Sequence, residues 1–168
     1  MNTTIAIAIL AAGFFSVPRG SEAGEKSQTQ VHSEDEKAIK RLVLERNERF
    51  NNHGAPLPAS FTQDADFVNV YGMWRRGPVE IESRQKERME TVLKDAKITL
   101  LDLRIRFIRP DVAIVHETHE MSGMLNDDGK TMPPHRELSI RVVVKEQGKW
   151  LITAFHNTIV RPVKSPAN

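Results

Sequence analysis

The apolar positions keep helical spacing in the first half of the chain and alternate in the second. Ile39, Leu42, Val43 and Phe50 fall on one helical face. Just before them, Ser33-Glu34-Asp35-Glu36 reads as a capping box. The serine oxygen can accept a backbone N–H there, and Glu36 can reach back. The spacing predicts a helix from Ser33 to about Asn52, stopped at Gly54. Arg46 shares the apolar stripe and is expected to snorkel at its edge. Gly77-Pro78 opens a second predicted helix reaching about Lys94. Ile81, Met89, Val92 and Leu93 form its thinner apolar face. Pairs such as Glu80/Arg84 and Glu82/Lys86 support the solvated side.

Between the two helices, Asp64 to Tyr71 is rich in Val and Phe and reads as a strand. Gly72 turns it, and Met73 to Arg76 returns. From Ile98 onward the period is two. Strands are predicted over Ile98–Arg109, Val112–Met121 and His135–Glu146, separated by Pro110-Asp111 and by Asn126-Asp127-Asp128-Gly129. Gln147-Gly148 leads into a last strand, Lys149 to Thr158. Its residues are apolar on both sides, with Trp150, Ile152 and Ala154 facing one way and Leu151 and Phe155 the other. Such a strand is expected to be covered on both faces. His156 and Asn157 then bring polar groups to its end, which points to a pocket. Helices followed by a strand meander make the fold class α+β, an antiparallel sheet with helices on one face.

Composition limits the function classes. A chain of 168 residues supports one domain with a core. Twenty-four basic against 22 acidic residues leave a net charge of +2 with no basic stripe, so no nucleic-acid partner is expected. With no cysteine, disulfides, thiolate metal sites and cysteine nucleophiles are excluded. Ile5 to Val17 is one apolar run, too short for a membrane-spanning helix. Pro18 and Gly20 break it, and Ser21-Glu22-Ala23 offers small residues for a peptidase. Residues 1–23 are therefore expected to be a signal peptide, despite having no Lys or Arg before Ile5. The product would be secreted or periplasmic, with no membrane association after cleavage. Residues 24–32 read as a disordered lead-in, 33–161 as the folded domain and 162–168 as a flexible tail.

Candidate chemistry is sparse. His116 and His119 lie three apart on a predicted strand and face opposite sides, so a shared metal ion is not expected. No glycine-rich phosphate loop, nucleophile elbow or cofactor fingerprint is present, so no cofactor is expected. Asp64 and Asp66 pair at a strand start, where solvation or capping accounts for them.

Three segments carry a resemblance to a known family. They are Phe61-x-x-Asp64-Ala65-Asp66-Phe67-Val68-Asn69-Val70-x-Gly72, Arg76-Gly77-x-x-x-Ile81, and Gly148-Lys149-Trp150-x-Ile152-x-x-Phe155-His156-Asn157-Thr158. In order and spacing they resemble the SnoaL-like branch of the nuclear transport factor two-like superfamily, and within it the SgcJ/EcaC family. The resemblance implies a curved antiparallel sheet wrapped around a long N-terminal helix. It also implies a conical small-molecule pocket and a homodimer formed through the open sheet face.

The last hairpin is similar to the association domain of calcium/calmodulin-dependent protein kinase II. By that alignment Val115, Glu117 and His119, then Ser139, Arg141 and Val143, then Thr153, Phe155 and Asn157, face the cavity. Glu117 and Arg141 would form a buried ion pair. Ketosteroid isomerase shares the implied fold, and its base position corresponds here to Asn69, which cannot take a proton near neutral pH. The pocket is thus expected to be lined by Asn69, Tyr71, Trp74, Glu117, His119, Arg141 and Asn157. If the protein is an enzyme, His119 is the expected acid–base in isomerase, cyclase or dehydratase chemistry, with Glu117 orienting it and Arg141 or Asn157 holding an oxyanion. A non-catalytic ligand-binding or assembly module stays open beside this. Oxidoreductase is a third reading, carried by the family label alone.

Overall fold

The computed structural model describes residues 22–126 and 128–161. The expected signal peptide falls almost wholly outside these residues, and the expected tail wholly outside. Helix α1 spans Glu22–Asn51 and α2 spans Gly77–Glu90. The strands are β1 (Phe61–Val68), β2 (Trp74–Arg76), β3 (Lys97–Arg109), β4 (Val112–Ser122), β5 (His135–Glu146) and β6 (Lys149–Ile159). They form one sheet in the order β2-β1-β6-β5-β4-β3. All pairings are antiparallel except β1 with β6, which is parallel. A parallel pair needs a long crossover, and everything between the two strands supplies it.

Helix α1 begins at Glu22, so Ser33 sits inside it and the capping box does not start it. The polar stretch expected as a lead-in contains Glu25, Lys26, Gln28 and Gln30, good helix formers. Once the downstream turns are docked, extending a helix backward costs little. At the other end the left-handed stop falls on His53 (φ 59°) rather than on Gly54.

Both helices pack on one face of the sheet. Ile39 and Val43 of α1 and Ile81 of α2 meet Phe61, Ala65, Phe67, Ala113, Val115, Val143, Trp150, Ile152 and Phe155. A second apolar cluster lies toward the other end of α1 and contains Phe50, Met89, Leu93, Ala96, Ile98, Met121 and Met124. Strand β4 links the two. Ala113 and Val115 belong to the first cluster, Met121 to the second, and Glu117 and His119 lie between them on the same inward face. The polar site is therefore a layer between two apolar ones.

Two expectations for β6 need correction. Val142 pairs with Ala154 while Val143 pairs with Ile152, which leaves Thr153 as an extra, bulged residue. The bulge resets the parity, so Trp150, Ile152 and Phe155 all face the core. The opposite face is also not covered by either helix. On neighbouring β5, Leu138 and Ile140 of that face are 39% and 38% exposed.

Candidate functional site

Strands β4 and β5 deliver most of the polar layer. In register, Val115 pairs with Arg141, Glu117 with Ser139 and His119 with Glu137, so inward side chains fall side by side. Glu117, His119, Glu137, Ser139 and Arg141 are all buried. Helix α1 adds Asn47, one turn on from Val43, and β6 adds Asn157.

The contacts form two linked groups. In the first, Glu117 accepts from Arg141 through Oε2 and from Asn47 through Oε1. Ser139 Oγ donates to Glu117 Oε2 at 3.4 Å and accepts from Arg141 at 3.2 Å. Burial works to raise the pKa of Glu117. The charges of Arg141, Arg46 and His119 and the Asn47 hydrogen bond outweigh it, holding the carboxyl down at about 2.

In the second group, Glu137 Oε2 lies 3.3 Å from His119 Nε2 and accepts from Asn157 Nδ2 at 2.6 Å. Its Oε1 is 3.4 Å from His135 Nε2. Burial again pushes upward, but His119, Asn157 and His135 bring Glu137 below the usual carboxylate range. His119 joins the two groups. Its Nδ1 lies 3.6 Å from Glu117 Oε1 but makes no hydrogen bond. Each ring nitrogen thus faces a carboxylate, and a neutral imidazole can donate to one of them at a time.

Beside this layer lies a cavity of about 40 Å³. Arg46, Asn69, Gln85, Arg88, His119, Glu137 and Asn157 supply its polar lining, and Phe50, Phe67, Leu93, Met124 and Phe155 are among its apolar walls. Phe67 and Phe155 stack with centroids 4.4 Å apart, a consequence of their direct pairing between β1 and β6. At roughly 10–15 Å³ per water, the space holds about three waters, and a larger ligand requires the walls to open.

Of the residues expected from sequence, His119, Asn157 and Asn69 line the cavity. Glu117 and Arg141 form their ion pair behind the lining. Asn69 spends its Oδ1 on the backbone N–H groups of Tyr71 and Met73, bracing the β1–β2 turn. Tyr71 and Trp74 are outside the lining, at 47% and 58% exposure. Trp74 lies on the short return strand, where its indole donates to Asp66 at 2.7 Å. Arg141 is sealed against Glu117 and Ser139, so it does not face the cavity. His116 and His119 do face opposite sides of β4, and among the described residues no group of three or more His, Asp or Glu is placed to hold a metal ion.

Three residues were missed. Glu137 has the same parity as Ser139 and Arg141, and an inward charge on that strand was a usable signal. Asn47 is a polar residue four after Val43 and three before Phe50, in the middle of the stripe. Arg46 was expected at the surface edge. Instead it lines the cavity, with its guanidinium 4.7 Å from the Phe155 ring centroid and Nε buried without a partner.

No family model matches the chain, and no curated protein sequence matches it. Solved structures do. An uncharacterised protein with a cystatin-like fold from Caulobacter vibrioides aligns with 29% identity and a TM-score of 0.70, over 77% of this chain and 92% of that one. A putative scytalone dehydratase from Novosphingobium aromaticivorans aligns at 15% identity and TM-score 0.67, over 83% and 93%. The hexachlorocyclohexane dehydrochlorinase LinA-type3 from Novosphingobium barchaimii aligns at 13% identity and TM-score 0.67, over 78% and 90%. The last two likenesses concern the fold alone.

Proposed function

Starting from a chain with the cystatin-like fold of the nuclear transport factor two-like superfamily, we propose that it binds a small molecule in the cavity beside His119. We propose further that it carries out cofactor-independent proton transfer there, of the elimination or isomerisation type. The observation that carries this reading is the buried His119, held at Nε2 by Glu137 and unpartnered at Nδ1. With Nε2–H donated to Glu137, Nδ1 is the basic nitrogen. Nδ1 is buried, 3.6 Å from Glu117 Oε1, so the walls must open before it can take a proton from a substrate carbon and return it elsewhere or pass it to a leaving group. Glu137 fixes the ring and, with Glu117 3.6 Å from Nδ1, balances the imidazolium. Two of the fold neighbours bear the names of a dehydratase and a dehydrochlorinase, both elimination enzymes, which favours the same class.

The test is a ligand screen with turnover followed by NMR. Wild-type protein should convert at least one bound compound, and His119→Gln should bind it unchanged. Equal turnover by a folded His119→Gln protein refutes the assignment.

A second reading is a non-catalytic binding module. It is favoured by the saturation of both carboxylates, since every oxygen of Glu117 and Glu137 already has a partner. A ligand released unaltered from wild-type protein supports it. Export and a homodimer belong to the same proposal. The dimer is supported by exposed Leu138 and Ile140, with Ile114 and Val142 beside them on the sheet face that neither helix covers. Sedimentation of the full chain and of Ile140→Glu checks it.

A further inference from the structure

Arg46 is an ill-matched cation. Its NH1 donates to Asn47 Oδ1 at a long 3.4 Å, its guanidinium lies over Phe155, and its Nε is buried without a partner. Among the described residues, no carboxylate comes within ion-pair distance of it. The two nearby carboxylates are committed, Glu117 to Arg141 and Glu137 to His119, His135 and Asn157. Arg46 is half-buried, and a buried N–H on a charged group left in this state is costly; native structures ordinarily supply a partner. Burial and the neighbouring Arg141 lower its pKa to about 10, against the pull of Glu117 and Glu137. It stays cationic at neutral pH.

Asn157 presents the complementary deficit. Its Nδ2 donates to Glu137, while its Oδ1 is buried without a partner. Arg46 and Asn157 line the same cavity, which therefore offers one unmet donor on a positive charge and one unmet acceptor. Water can satisfy the acceptor, but it brings no countercharge.

We infer that this cavity takes a small organic anion. Its carboxylate would meet Arg46, and a hydroxyl or N–H close to that carboxylate would donate to Asn157 Oδ1. The inference rests on the reading of the cavity as a ligand site and narrows that ligand to a class. The cavity's size sets the scale, because about 40 Å³ admits a few heavy atoms before the walls must move. Phe67 and Phe155 leave an apolar flank for the carbon skeleton. Bringing the anion's acidic C–H toward His119 would place binding and proton transfer in one space.

The probes are sodium glycolate, sodium acetate and ethylene glycol, titrated into the full chain at constant ionic strength. Binding is read by calorimetry and by amide shifts in heteronuclear NMR. Glycolate should bind more tightly than acetate, and ethylene glycol should not bind. Arg46→Gln should weaken glycolate about tenfold or more, the loss of one charge-assisted hydrogen bond. Arg46→Lys keeps the charge and should recover part of the affinity, which separates loss of charge from loss of fold. Asn157→Ser should bring glycolate down toward acetate. His119→Gln should keep glycolate binding while losing turnover of any converted compound, so the ligand class and the catalytic reading fail separately. The inference is overturned if wild-type protein binds neither anion, if ethylene glycol binds as well as glycolate, or if a folded Arg46→Gln protein binds glycolate undiminished.

Discussion

Glu117 and Arg141 are diagonal neighbours across the β4–β5 ladder, and each is fully buried, at 0% exposure. The pair is closed by Asn47 from the helix and Ser139 from the strand, so it ties α1 to the middle of the sheet. Removing one member strands the other. Arg141→Met should cost about 3–5 kcal/mol of unfolding free energy. The double variant Glu117→Leu/Arg141→Met should cost less than Arg141→Met alone, since no charge is left behind. Urea unfolding of the three proteins measures this, and a double variant no better than the single one counts against the account.

The same pair sets an acid limit. The carboxyl of Glu117 falls from 4.5 to about 2 on folding. A depressed carboxylate stabilises the folded chain above its unfolded pKa and loses that contribution as pH falls through the folded one. Stability should therefore decline between about pH 4.5 and 2, by on the order of 3 kcal/mol from this group. Glu137 and Asp35, both lowered as well, add to the same limb. Glu117→Gln should flatten that limb in denaturant melts taken across the range. Superimposable acid limbs in the two proteins would contradict this.

At the opposite end of α1, Asp35 Oδ1 accepts from Trp150 Nε1 at 2.9 Å and from Lys145 Nζ at 2.6 Å. Lys145 is partly exposed and can turn to water, whereas the indole N–H is buried. Asp35→Ala should therefore cost about 1–3 kcal/mol, chiefly the desolvation of that N–H. Tryptophan emission during urea unfolding reports it directly, and an unchanged midpoint would be the contrary result.

Gly123 lies just after β4 with φ +72°, and a Cβ there would come within 2.2 Å of the Asp95 carbonyl oxygen. The close approach presses the segment after α2 onto the end of β4, next to Leu93 and Met124 of the cavity wall. Gly123→Ala combines a left-handed backbone with a backbone clash and should destabilise by more than ~1 kcal/mol. It should also weaken binding of any cavity ligand. Thermal melts and a ligand titration check the two effects, and a neutral outcome in both would show that the wall adapts.

Much of this was readable from residues because two-residue periodicity survives in β4 and β5. The resemblance of the last hairpin to the association domain, extended by that alternation, placed Glu117, His119, Ser139 and Arg141 on one face. Four readings failed for different physical reasons. The helical wheel put Arg46 on the stripe but could not say whether a long side chain bends outward to water or inward over Phe155. The alternation rule broke in β6, because a bulge leaves no mark in composition. Tyr71 and Trp74 were expected in the pocket, but they sit on the β1–β2 turn and its return strand, exposed and outside the cavity lining. The start of α1 was misplaced because a capping box is a local signal, and a helix docked further along can run through it.

The extra residue at Thr153 divides β6 into two lengths with separate duties. Before it, Trp150 and Ile152 anchor the strand to the main apolar cluster; after it, Phe155 and Asn157 serve the cavity. The bulge offsets the pairing by one residue, so the two lengths present their side chains with independent parity. On the proposed ligand-binding reading, substitutions after the bulge alter the cavity while the residues before it keep the architecture.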